Sequence, residues 1–160
     1  MKRNYLLTAI AAMLLFISAC SKKCPCAPGI VEVYFVGIDS TEADTVILRT
    51  YQKGNNFVTP TDTNLVTNSN SYHYQRHDTL SIHLKGTTPS LEIGNDYELI
   101  IPGINKTFRL NSFVEEEKEE NCVQRNLHGC RNNVLSVKVN GIAENLSNLG
   151  GFATPLYLRR

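Results

Sequence analysis

Five cysteines and a set of histidines carry the side chains best suited to chemistry in this 160-residue chain. Cys24, Cys26, Cys122 and Cys130 offer four sulfurs, the number a structural zinc ion takes in tetrahedral geometry. Neither pair, however, has the two-residue spacing of a zinc knuckle. Cys24-Pro25-Cys26 is also one residue shorter than the reactive dithiol motif. In an oxidising compartment four such cysteines form disulfides, with three connectivities open to them. A ring closed across Pro25 alone is strained. Cys122 and Cys130 bound a short segment whose ends meet readily, so Cys122–Cys130 is the expected bond. Cross-pairing of Cys24 and Cys26 with Cys122 and Cys130 is the alternative.

His73, His77 and His83 invite a metal reading. On an extended strand His73 and His77 stand about 13 Å apart, whereas zinc holds each nitrogen at about 2 Å. They read as solvent-face residues, and no metal site is assigned. "DSTEAD" (Asp39–Asp44) and "EEEKEE" (Glu115–Glu120) gather carboxylates without the spacing of a calcium loop, and read as a solvated loop and a solvated charge run. No nucleophile elbow, phosphate-cradling glycine loop or His-Glu-x-x-His stretch occurs. No catalytic residue and no cofactor therefore follow, and the reading is non-enzymatic. An envelope enzyme, or a metal-handling protein using histidines or thiols, is the alternative. The chain has no Trp, so a sugar-stacking surface would have to use its 7 Tyr.

The amino-terminal end is more specific. Lys2 and Arg3 precede an apolar run from Tyr5 to Ile17 broken only by Thr8. About thirteen residues cannot cross a ~30 Å hydrocarbon core as a helix, and the charged front fits a secretory signal. The run closes on Ile17-Ser18-Ala19-Cys20, which resembles the lipobox of bacterial lipoproteins, with Ile17 where leucine is commonest. The resemblance implies cleavage before Cys20, a diacylglycerol on its thiol and acylation of the new amino terminus. Two or three acyl chains, at about 0.8 kcal/mol per buried CH₂, hold a protein stably on a bilayer. The cysteine-rich start and small β domain are similar to lipoproteins of Bacteroidota, in which acidic residues after the lipidated cysteine accompany surface export. Ser21-Lys22-Lys23 stand there instead, which implies retention on the periplasmic side, and Ser21 rather than Asp after the lipidated cysteine implies the outer membrane by resemblance to proteobacterial sorting.

These features divide the chain into a signal peptide (1–19), a lipidated cysteine and tether (20–29) and one domain (30–160). About 140 residues remain after cleavage, enough for a single core. Lys2 and Arg3 leave with the signal, so 14 basic residues face 15 acidic ones. With no basic stripe, nucleic-acid binding has no electrostatic basis. The expected partners are the membrane, through the anchor, and an envelope protein or glycan.

The elements that would position any site read as strands. "IVEVYFVGI" (Ile30–Ile38) and "DTVILRTY" (Asp44–Tyr51) are β-branched and aromatic runs joined by a polar loop, the pattern of a hairpin. Between Tyr72 and Leu84, Tyr72, Tyr74, Leu80, Ile82 and Leu84 share one parity, with a break expected near Arg76-His77-Asp78. Tyr97, Leu99 and Ile101 share a face before Pro102-Gly103 turns the chain, and Phe108 and Leu110 follow. Leu135, Val137 and Val139 alternate with Ser136 and Lys138 up to a tight turn at Asn140-Gly141. "TPLYLRR" reads as an edge strand, because Pro155 is excluded from a central one. The expected fold is all-β, an antiparallel β-sandwich of immunoglobulin-like or transthyretin-like type. It carries a long polar loop over Gly54–Asn70, with a short strand at Phe57-Val58. A charged insertion spans Glu115–Arg131, with a short helix at Val114–Asn121.

Overall fold

The computed structural model describes residues 23–67, 71–84, 90–122, 129–147 and 153–160, with the backbone alone described at 71–75, 82–84 and 121. In chain order the strands are β1 (Lys23–Pro25), β2 (Ile30–Val36), β3 (Thr45–Gln52), β4 (Asp62–Thr67), β5 (Ser71–Arg76), β6 (Thr79–Leu84) and β7 (Ser90–Glu92). They continue as β8 (Asn95–Ile101), β9 (Lys106–Glu116), β10 (Glu119–Asn121), β11 (Asn133–Val139), β12 (Ile142–Asn145) and β13 (Thr154–Arg159). One sheet has the order β12-β11-β9-β8-β3-β4; the other has β13-β2-β6-β5, with β7 also paired to β2. A two-stranded ribbon, β1-β10, stands apart from both. The sandwich expected from the sequence is therefore the observed architecture. All pairings between these strands are antiparallel except β13 with β2, which run parallel from Thr154↔Val31 to Arg159↔Val36.

Alternation decides which side chains meet between the sheets. Val31 and Phe35 of β2, Leu156 and Leu158 of β13, and Tyr97, Leu99 and Ile101 of β8 are all buried there, with Phe108 and Leu110 of β9. The Phe35 and Phe108 rings lie 6.2 Å apart and join the two layers. The Tyr97 hydroxyl donates to the Glu92 carbonyl at 2.8 Å and accepts from the Glu92 N–H at 2.9 Å, tying β8 to β7 of the other sheet. Pro155 sits on edge strand β13, as its missing N–H requires. Asn140 (φ 51°) and Gly141 (φ 85°) form the tight turn between β11 and β12. A side chain at Gly103 would run into the Glu42 carbonyl, so the turn after β8 needs glycine for close approach.

Several expectations are corrected. The runs at 30–38 and 44–51 do not form a hairpin: β2 and β3 belong to different sheets. Ile38 and Ala43, within the connection, are both buried, so the loop crosses the edge of the core rather than reversing within one sheet. Asp39 shapes that loop, its Oδ1 accepting from the N–H groups of Thr41 (2.8 Å) and Glu42 (2.9 Å) and from the Thr41 hydroxyl (2.6 Å). Glu42 pairs with Arg160 at 2.7 Å. The polar stretch 54–70 is not a loop throughout, because β4 pairs with β3 over Thr45↔Thr67 to Thr50↔Asp62. Only Val66 of β4 enters the core, which is why its sequence carries so little strand signal. Phe57-Val58 is a turn rather than a strand, with Phe57 at φ 61°.

The helix expected at Val114–Asn121 is absent; β9 runs on to Glu116 and β10 follows. Leu135 is 44% exposed, whereas Val134 and Val137 are buried. Register shifts between β11 and β9 explain this, since a bulge moves the next residues to the other face. The turn at His77 (φ 55°) likewise ends the single parity read from Tyr72 to Leu84: Tyr74 stands opposite Ser81 and Gln75 opposite Leu80.

Candidate functional site

Cys24 is bonded to Cys122 and Cys26 to Cys130, with Cα–Cα separations of 5.0 Å in both. The local bond Cys122–Cys130 is not formed, and the cross-pairing is the observed connectivity. The backbone gives the reason. β1 pairs with β10, placing Cys24 opposite Glu120. Beyond β1, the Cys26 N–H donates to the Lys118 carbonyl at 2.9 Å and the Ala27 N–H to the Cys130 carbonyl at 3.0 Å. The leading segment thus lies between the strand that ends near Cys122 and the segment that begins at Cys130, and each cysteine meets a different neighbour. Residues 23–29, the greater part of the expected tether, are held in this clamp. The sulfurs of Cys26 and Cys130 and a carboxylate oxygen of Glu120 lie within 4.8 Å of one another. Both sulfurs are consumed by the disulfide, so the set does not offer thiolates to a metal.

His77 is exposed at the β5–β6 turn, and the side chains of His73 and His83 lie outside the described residues. The lipobox, Cys20 included, also lies outside them. Among the described residues no helix is long and apolar enough to cross a membrane.

Ligand-sized space lies on the outer face of the sheet containing β2. Register pairs Tyr34 of β2 with Tyr157 of β13, and strand alternation turns both away from the core. Their rings stack with centroids 5.3 Å apart and planes 29° apart. Tyr157 is 51% exposed. The Tyr34 hydroxyl donates to Glu32 Oε2 at 3.0 Å. Burial and this bond to a carboxylate push its pKa up to about 12, so the phenol stays neutral. Beside the pair is an open groove of about 450 Å³, rimmed by Arg76, His77, Asp78 and Ser81. The turn that supplies Arg76, His77 and Asp78 is fixed to the end of β2 by a bond from the Gly37 N–H to the Asp78 carbonyl, 2.8 Å.

The gap between the sheets is a poorer candidate. It is lined by Val33, Phe35, Val46, Leu48, Val66 and Leu91 and measures about 30 Å³, too small for more than a water-sized guest and without the polar groups that hold one. Sequence reading did not single out Tyr34 or Tyr157, which are far apart along the chain. The available signal was clear only for Tyr157, which stands between Leu156 and Leu158 in an alternating strand; Tyr34 lies in a nearly continuous apolar run whose outer face the sequence does not mark. No protein-family model, no curated protein and no solved structure matches this chain.

Proposed function

We propose that this chain is a lipid-anchored protein of the cell envelope, on the periplasmic face of the outer membrane, and that its sandwich is a non-enzymatic module that binds a glycan. The anchor rests on the resemblance of Ile17-Ser18-Ala19-Cys20 to a lipobox. The binding reading rests on the stacked Tyr34–Tyr157 pair beside a groove with a polar rim. An aromatic face covers the C–H face of a sugar ring, while Arg76, Asp78 and Ser81 supply charged and hydroxyl partners for its hydroxyls. Cys20 precedes β1 by three residues, a reach of at most about 11 Å. A lipid on Cys20 therefore keeps the clamp, and the domain bonded to it, close to the bilayer surface.

The test is binding of the full chain, in a neutral detergent, to an array of bacterial envelope glycans. Retention of at least one glycan, weakened about tenfold by Tyr157→Ala, is expected from the loss of one aromatic contact. Retention of no glycan, or equal retention by the variant, would overturn the assignment of the groove.

A further inference from the structure

On the opposite side of the sandwich, Arg49 of β3, Glu98 of β8 and Arg109 of β9 stand side by side across three strands. Glu98 is 4% exposed, and its carboxylate is fully engaged. Oε2 accepts from Arg49 Nη1 at 3.1 Å and from the Tyr51 hydroxyl at 3.2 Å, while Oε1 accepts from Arg109 Nε at 3.0 Å. Two guanidinium groups are thus oriented by one buried carboxylate, which matches only one of their charges. Each guanidinium has five N–H donors, and only one on each is spent on Glu98. The arginine side chains remain 41% and 57% exposed.

The surroundings fix this geometry. Arg109 lies against the Phe57 ring, its guanidinium carbon 5.5 Å from the centroid. Phe57 in turn meets Tyr51 edge-on at 5.3 Å. To reach that place the chain holds both Asn56 (φ 55°) and Phe57 (φ 61°) in the left-handed region, an unfavourable conformation for an aromatic residue. Asn55 Oδ1 braces the turn by accepting from the N–H groups of Val58 (3.0 Å) and Thr59 (3.2 Å). An open groove of about 440 Å³ lies beside the arginines, walled by Glu98, Ile100, Thr107 and Asn140.

We infer that Arg49 and Arg109 form a binding site for a small carboxylate-bearing ligand, with Glu98 as the residue that positions both guanidinium groups. A fixed guanidinium fork fits the two oxygens of a carboxylate, and a lone charge on a mobile lysine does not. The ligand is a monoanion because the net charge of the triad is a single positive one.

The experiment is a titration of the full chain, in a neutral detergent at constant ionic strength, with propionate, chloride or inorganic phosphate at pH 8. The Nε–Hε signals of Arg49 and Arg109 are followed by nuclear magnetic resonance. Propionate is expected to shift both signals in a saturating manner, with chloride giving only a small linear drift. Arg49→Lys keeps the charge opposite Glu98 and is expected to weaken propionate about tenfold through loss of the fork. Equal linear drifts with propionate and chloride would reduce the site to a structural ion ladder and overturn the inference. So would wild-type affinity in Arg49→Lys, or tighter binding of phosphate than of propionate.

Discussion

Removing the two disulfides should cost far less singly than the length of their loops implies. The bonded cysteines are separated by 98 and 104 residues, and an isolated crosslink of that span stabilises by about 4.7 kcal/mol through lost entropy of the unfolded chain. The two bonds are not isolated. With Cys24–Cys122 closed, Cys26–Cys130 adds only a ring through residues 24–26 and 122–130, about 12 residues, worth roughly 3 kcal/mol. The same argument holds in reverse. Replacing either bonded pair by serines should therefore cost about 3 kcal/mol, and replacing both pairs about 7.5 kcal/mol, roughly 1.5 kcal/mol beyond the sum of the separate losses. Urea unfolding of the chain lacking residues 1–20, with the three variants compared at one pH, measures these differences. Two losses near 4.7 kcal/mol that simply add would show that the crosslinks constrain independent loops and would refute the shared clamp. A loss below about 1 kcal/mol on removing both would refute the connectivity itself.

Further outcomes follow from other parts of the molecule. Cys20→Ala should abolish incorporation of radioactive palmitate and leave the precursor uncleaved; unchanged labelling would sink the lipobox reading. Val137 is 1% exposed, so Val137→Asp should destabilise by several kcal/mol, about 3–5, by burying an unpaired charge. Leu135→Asp, at a bulged and 44% exposed position, should cost under about 1 kcal/mol, and equal losses in urea unfolding would contradict the register. Burial acts to raise the Glu98 carboxyl, but hydrogen bonds from Arg109, Tyr51 and Arg49 outweigh it and hold the pKa below the usual glutamate value. A lowered folded value makes the Glu98 contribution full above the ordinary value of about 4.3, and it fades as pH falls through the lowered one. Glu98→Gln should flatten that part of the acid limb in stability measured from pH 6 to 2; an unchanged slope would refute the assignment.

The sequence alone determined the strand class and much of the core. Tyr97, Leu99, Ile101, Phe108 and Leu110 are buried where simple alternation put them, because a strand has a fixed two-residue period and only one face of each meets the other sheet. Pro155 and Asn140-Gly141 also declared their places, since each restricts the backbone locally whatever surrounds it. Local pattern failed where the deciding contact is distant. β4 is a strand through its pairing with β3, although four of its six residues are polar. The bulges that expel Leu135 exist only between β9 and β11. The choice of Cys24–Cys122 and Cys26–Cys130 over a local bond depends on the leading segment lying between two others, which no spacing along the chain encodes. Both candidate sites have the same origin. Tyr34 meets Tyr157 through a parallel pairing of the first and last strands of one sheet, and Arg49, Glu98 and Arg109 converge through the registers of three strands. A regular strand's own residues fix which face each side chain takes, while only the tertiary structure fixes where a bulge interrupts that alternation and which strand stands beside it.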